Sequence, residues 1–174
     1  MTAPPTVSVV IPVLDEEEIL DELQRRLHAA LEGIPHELVF VDDGSTDRSV
    51  EIIGELAATQ EGIVLVKLSR NFGMEVAMSA GLDQASGDHV VLMHADLQDP
   101  PELIPDMLEA AHAGADVVYA RRIGRDESLV KRSLATLFYR MMERLAQTPY
   151  QGQAGDFRLM TRRVVETVRE MPER

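Results

Sequence analysis

Asp42 and Asp43 close one short apolar run, and Asp96 follows another by three residues. Carboxylates gathered in apolar surroundings repel one another and lose hydration, a cost that a cation or hydrogen-bond donors would offset. Magnesium keeps several waters and is held by one or two carboxylates plus substrate phosphates. That suits a sparse site at Asp96, where Gln98 could add a carbonyl oxygen. One of the two adjacent acids could accept the imide N–H of uracil. Their neighbours have local structural readings. Gly44 supplies a turn and Ser45 caps the following helix. Asp99-Pro100-Pro101-Glu102 has the form of a helix start, with Asp as N-cap, proline in the first turn and glutamate at the capping-box position.

These acids need elements that bring them together. Continuous apolar runs at 7–13, 37–41, 63–68, 89–93 and 116–120 read as strands buried on both faces. Ile19, Leu23, Leu27 and Leu31 recur every fourth residue, and Val50, Ile53 and Ala57 follow a similar stripe, so helices cover the sheet. Further helices are expected at 75–85, 101–113, 129–145 and 162–170. The repeated strand–helix order predicts an α/β fold with a mostly parallel central sheet and helices on both faces. In such sheets ligands collect at the carboxyl ends of strands, where the acids lie. No G-x-G-x-x-G follows the first strand and no Walker lysine loop is present, which excludes a dinucleotide enzyme and a P-loop phosphotransferase.

With 174 residues, one domain spanning 1–174 is the expectation. The absence of cysteine excludes disulfides, thiolate nucleophiles and Cys-based metal sites. A net charge of −13 argues against a nucleic-acid partner. The charge is divided: residues 1–120 hold 5 Lys/Arg against 23 Asp/Glu, whereas 121–174 hold 12 against 7, so the C-terminal third is suited to an anion. The opening residues lack the basic start of a signal peptide, and no window approaches 18 consecutive apolar residues.

Five ordered blocks carry a family resemblance. They are Val9-Val10-Ile11-Pro12-Val13-Leu14-Asp15-Glu16-Glu17, Val41-Asp42-Asp43-Gly44-Ser45-Thr46-Asp47, Ser69-Arg70-Asn71-Phe72-Gly73, Ala95-Asp96-Leu97-Gln98-Asp99-Pro100-Pro101-Glu102 and Gly155-Asp156-Phe157-Arg158-Leu159. Together they resemble the inverting family 2 glycosyltransferases, especially the polyprenyl-phosphate glycosyltransferases related to dolichyl-phosphate mannose synthase. The resemblance implies a GT-A (Rossmann-like) fold. It also implies a nucleotide-sugar donor site formed by Pro12, Leu14, Glu16, Asp42 or Asp43, Arg70, His94 and Ala95, with magnesium or manganese on Asp96 and Gln98. Asp96, Asp156 and Arg122 become the catalytic candidates. Asp156 aligns with a carboxylate often proposed as base.

The implied reaction moves a sugar from a UDP-sugar, UDP-glucose being favoured, to a polyprenyl phosphate. A phosphate monoester is largely dianionic at neutral pH, so positioning matters more than a general base, and Arg121, Arg122, Lys131 and Arg132 could clamp it. Asp156 then orients the acceptor or the metal. The alternatives are a saccharide acceptor in polysaccharide synthesis, or a non-catalytic nucleotide-sugar binding module. Three positions depart from the family pattern: His94 replaces the first acid of Asp-Ala-Asp, Met74 a lysine, and Leu14 an aromatic residue. Relatives continue past the position of Arg174 into membrane-associated helices. The expected location is therefore cytoplasmic, at the membrane face only through that further region, with a homo-oligomer possible.

Overall fold

A computed structural model describes residues 6–120 and 157–171. The described elements belong to one compact unit, in which the C-terminal segment joins residues 6–119. In chain order they are β1 (Val7–Val13), α1 (Leu20–Ala30), β2 (His36–Asp42), α2 (Ser49–Thr59), β3 (Ile63–Lys67), α3 (Met74–Gln84) and β4 (His89–Leu92). A 3-10 turn (Pro101–Leu103) then leads into α4 (Ile104–His112), followed by β5 (Val117–Tyr119), β6 (Arg158–Thr161) and α5 (Arg162–Arg169).

The sheet order is β3-β2-β1-β4-β6-β5. Strands β1 to β4 pair in parallel, and β6 lies antiparallel between β4 and β5. The sheet is thus mostly parallel, as the alternating pattern predicts. β6 is the unforeseen element: four residues ending in a helix start carry too little periodicity to announce a strand. Burial on both faces holds for β1, β2 and β4 but not for β3 and β5, whose partly exposed residues reflect their places at the sheet edges. The helix expected at 129–145 falls outside the described residues.

Alternate strand residues feed opposite layers. Val10, Val39, Val41, Val90, Leu92 and Met160 pack with Ala77, Met78 and Leu82 of α3 and Val165 of α5. Helix α3 sits so close to the sheet that a Cβ on Gly81 would press into the Val10 side chain and lie 2.9 Å from Val41 Cγ2. On α5, the Arg169 guanidinium donates to the Leu82 and Ala85 carbonyls and Arg162 to those of Ala85 and Gly87, satisfying the C-terminal acceptors of α3. On the other face α1 packs against α2 and against the Pro101–Leu103 turn. Arg26 of α1 fixes that turn through two bonds to the Glu102 carboxylate, at 2.8 and 2.7 Å. Among the described residues, no helix is long and apolar enough to cross a membrane.

Candidate functional site

The carboxyl ends of β1, β2 and β4 open into one cleft of about 360 Å³, within the range of small-ligand sites. Pro12, Val13, Leu14 and Glu16 line it from β1, Asp43 from β2, and His94, Ala95 and Asp96 from β4. Asn71, Gly73 and Met74, at the start of α3, complete it.

Interlocked backbone bonds hold these ends in place. Asp15, at φ 54, accepts the N–H groups of Thr46 (2.6 Å) and Asp47 (3.2 Å) on its Oδ1 and donates its own to Ser45 Oγ (3.0 Å). The Glu16 N–H donates to the buried Ser49 Oγ at 2.9 Å, the Glu17 N–H donates to Asp47 Oδ2 at 3.0 Å, and the Glu17 carboxylate accepts the Arg48 N–H at 2.9 Å. Ser45 is therefore a clasp to the first loop rather than a helix cap. Asp47 takes the capping-like place, accepting the Ser49 N–H at 2.9 Å just where α2 begins.

The two adjacent acids prove unequal. Asp42 is fully buried and accepts the N–H groups of Gly44 and Ser45, closing its own turn, and it does not line the cleft. Asp43 lines the cleft and accepts from Phe72 (2.7 Å) and Gly73 (2.9 Å). Gly44 lets the two loops meet: at φ +88, a Cβ there would stand 2.7 Å from the Asn71 nitrogen and 2.8 Å from the Arg70 carbonyl carbon. Arg70 lies outside the lining, its guanidinium 3.9 Å from the centroid of the Phe72 ring.

After β4 the chain bends sharply. Leu97 has φ 60, a strained value for a residue with a large side chain, and its N–H donates to the Ala95 carbonyl at 2.9 Å. Asp96 is exposed and accepts the Gln98 N–H on Oδ1 at 3.0 Å, while Gln98 itself does not line the cleft. The Asp99 carboxylate is buried and folds back on the loop: it accepts the His94 N–H at 3.0 Å and lies 3.5 Å from His94 Nδ1. Pro100 rather than Asp99 occupies the N-cap of the 3-10 turn, and Glu102 pairs with Arg26 instead of completing a capping box.

Of the sequence-predicted donor residues, the cleft thus gathers Pro12, Leu14, Glu16, Asp43, His94, Ala95 and Asp96, and leaves out Asp42, Arg70 and Gln98. Val13, Asn71 and Gly73 are legible in the sequence only as parts of motifs. Asp156, Arg121, Arg122, Lys131 and Arg132 lie outside the described residues.

The electrostatics are those of crowded acids. Burial, followed by the charges of Asp96, Asp47 and Asp15, pushes the Glu16 carboxyl above its ordinary value. For Asp47 burial acts in the same upward sense, but hydrogen bonds from Ser49 and the Glu17 N–H outweigh it and hold the carboxyl low. Among the described residues no three His, Asp or Glu side chains group closely enough to hold a metal alone. A magnesium or manganese ion that shares its ligands with a phosphate needs fewer, and Glu16 and Asp96 in one cleft fit that requirement.

Comparison with known proteins bears on the family and the fold. The sequence model described as Glycosyl transferase family 2 matches residues 8–169. The chain is 42% identical over 171 residues to the bactoprenol glucosyl transferase of Shigella phage SfV, covering 97% of this chain and 56% of that one. It is 37% identical to the undecaprenyl-phosphate 4-deoxy-4-formamido-L-arabinose transferase of Photorhabdus laumondii, covering 97% and 53%. This chain therefore spans about half the length of the curated relatives it matches. Glucosyl-3-phosphoglycerate synthase of Mycobacterium tuberculosis, solved with Mn2+, UDP and glucosyl-3-phosphoglycerate, matches the fold with a TM-score of 0.59 and 27% identity, over 92% of this chain and 58% of that one. The architecture is of the GT-A type.

Proposed function

Because this chain belongs to glycosyl transferase family 2, we propose that it transfers a sugar from a UDP-sugar, UDP-glucose being favoured, to a polyprenyl phosphate. The carrying observation is the cleft in which Asp43, Glu16 and Asp96 meet at the ends of three parallel strands. The names of the phage and Photorhabdus relatives support the lipid-phosphate acceptor, and the mycobacterial complex supports UDP with a divalent cation.

On this reading the nucleoside lies against Pro12, Leu14 and Ala95, and Asp43 accepts the base imide N–H with lone pairs not used by Phe72 and Gly73. Asp96 would hold a magnesium or manganese ion, which when bound supplies Lewis-acid stabilisation of charge on the departing diphosphate. Leu14 and Met74, both lining the cleft, present apolar surface to the bound donor. An acceptor phosphate oxygen attacks the anomeric carbon in line as the bond to the diphosphate breaks, inverting the configuration. Arg121, Arg122, Lys131 and Arg132 are the proposed clamp for that phosphate, and Asp156 orients it. Because the acceptor is already dianionic, no residue need remove a proton. Membrane association is assigned to the region that relatives possess beyond this chain.

A transfer assay with radiolabelled UDP-glucose and undecaprenyl phosphate tests the proposal. Label in the lipid phosphate is expected. Label appearing only on a saccharide acceptor overturns the acceptor assignment, and tight UDP binding with no transfer by the full-length protein favours a binding module.

A further inference from the structure

Strand register lines up Val64, Val39, Val10, Leu92, Arg158 and Tyr119 in one row from β3 across to β5, and residues paired in this way share a face of the sheet. Val10 and Leu92 belong to the layer packed on α3, so Arg158 lies on that face as well. It is the one charged residue in the row. Two residues further along β1 and beyond β4, on the same face, stand Pro12 and His94, and both line the cleft. The ladder runs on toward His94, since the Met93 N–H donates to the Val10 carbonyl at 3.2 Å. Arg158 is therefore the diagonal neighbour of His94 across β4 and β6, at about 7–8 Å, a separation that long side chains span.

The Arg158 guanidinium has no counterpart. The residue is partly buried, its Nε is shut from solvent with no hydrogen-bond partner, and among the described residues no ion pair or hydrogen bond reaches its side chain. The other partly buried arginines are all held, Arg26 by Glu102, and Arg162 and Arg169 by carbonyls at the end of α3. Burying a cation unpaired is costly, and an arriving anion offsets that cost. The described lining of the cleft holds three carboxylates and no Lys or Arg, so Arg158 supplies beside it the charge that a phosphate needs.

Resting on the reading of the cleft as a donor site with its phosphates at the Asp96 end, we propose that Arg158 binds a phosphate oxyanion of a substrate where β4 and β6 adjoin. Its planar fork matches phosphate oxygens through paired N–H donors. The donor diphosphate and the acceptor monoester present the same oxygens, and the experiment tells them apart.

UDP with Mn2+, and separately geranyl phosphate, are titrated by calorimetry into this chain and into Arg158→Met, with thermal melts of both proteins. Met continues the apolar row and removes an unpaired cation, so Arg158→Met is expected to melt at or above the parent. The ligand whose phosphate Arg158 holds should bind about tenfold or more weakly, the size of a lost hydrogen bond to a charged group. Weakening confined to UDP assigns the donor diphosphate, weakening confined to geranyl phosphate assigns the acceptor, and weakening of both places Arg158 between the two. A lower melt for Arg158→Met overturns the inference, because the guanidinium then serves the fold. Unchanged binding of every ligand that the parent takes overturns it as well. If the parent binds neither ligand, the reading of the cleft itself fails, and the assignment of Arg158 fails with it.

Discussion

The Asp43 carboxylate accepts the Phe72 N–H across 29 residues of sequence, at 2.7 Å, and so joins the end of β2 to the start of α3 inside the cleft. A second bond, from Gly73, makes the link bidentate. Asp43→Ala leaves two N–H groups unpaired beside a buried position, and an orphaned donor costs about 1–3 kcal/mol. Urea denaturation is expected to show a loss of that size together with loss of UDP binding by calorimetry. Unchanged stability would mean that the two N–H groups find water instead.

Gly44 makes a prediction of opposite character, because adding an atom rather than removing one does the harm. Gly44→Ala places a Cβ 2.7 Å from backbone at Asn71, at a φ of +88 that alanine adopts only under strain. About 1–3 kcal/mol is expected for the backbone conformation, with further loss from the displaced loop. Since Asn71 lines the cleft, UDP affinity should fall in the same variant. A neutral midpoint in urea would show that the loop after β3 yields without cost.

Asp96→Asn is expected to abolish the metal-dependent part of UDP binding while leaving the melting temperature near that of the parent, because Asp96 is exposed and an amide can still accept from Gln98. Asp99→Ala should act on the same quantity indirectly. It removes the acceptor for the His94 N–H and lets a loop with Leu97 at φ 60 relax, so metal-dependent affinity drops with a stability loss of about 1–3 kcal/mol. Calorimetry with Mn2+ on both variants reads this. Retained magnesium or manganese dependence in Asp96→Asn would remove that residue from the site.

Two acids in adjoining loops titrate in opposite senses. The Asp47 carboxyl is lowered, so its stabilisation is present above its unfolded value near 3.8 and is lost as pH falls through the lower folded value. The Glu16 carboxyl is raised, so its penalty is absent below the unfolded value of 4.5 and fully present once pH has risen past the higher folded value. At neutral pH, Asp47→Asn should therefore melt lower than the parent and Glu16→Gln higher. Each charge-linked difference should shrink below its unfolded value. Thermal melts across acid pH check both signs.

Sequence patterning reached the strand ends but not the contacts among them. An apolar run followed by acids marked Asp43 and Asp96 as cleft residues because burial of a strand and exposure at its end leave a clear composition change. Choosing Asp43 over Asp42 was beyond that signal, since alternation at a strand end depends on where the turn begins. The tie between Asp15 and Thr46, and that between Asp99 and His94, rest on backbone donors, which every residue possesses and no composition records. Ser45 and Asp99 resemble helix caps in sequence for the same reason: a short polar side chain near a helix looks alike whether it serves that helix or a neighbouring loop.

The antiparallel strand between β4 and β5 has a consequence for the order in which the molecule assembles. Among the described residues β5 pairs only with β6, whose Arg158 follows Tyr119 by 39 positions, so β5 leaves the ribosome first. Until β6 arrives, β4 and β5 each lack the described strand that pairs with them there, a state prone to self-association in a nascent chain. The half carrying β1 to β4 can pair as it emerges, but closure of the sheet waits for the last strand. The cleft, whose described lining runs from Pro12 to Asp96, is thus encoded ahead of the strand that completes the described sheet.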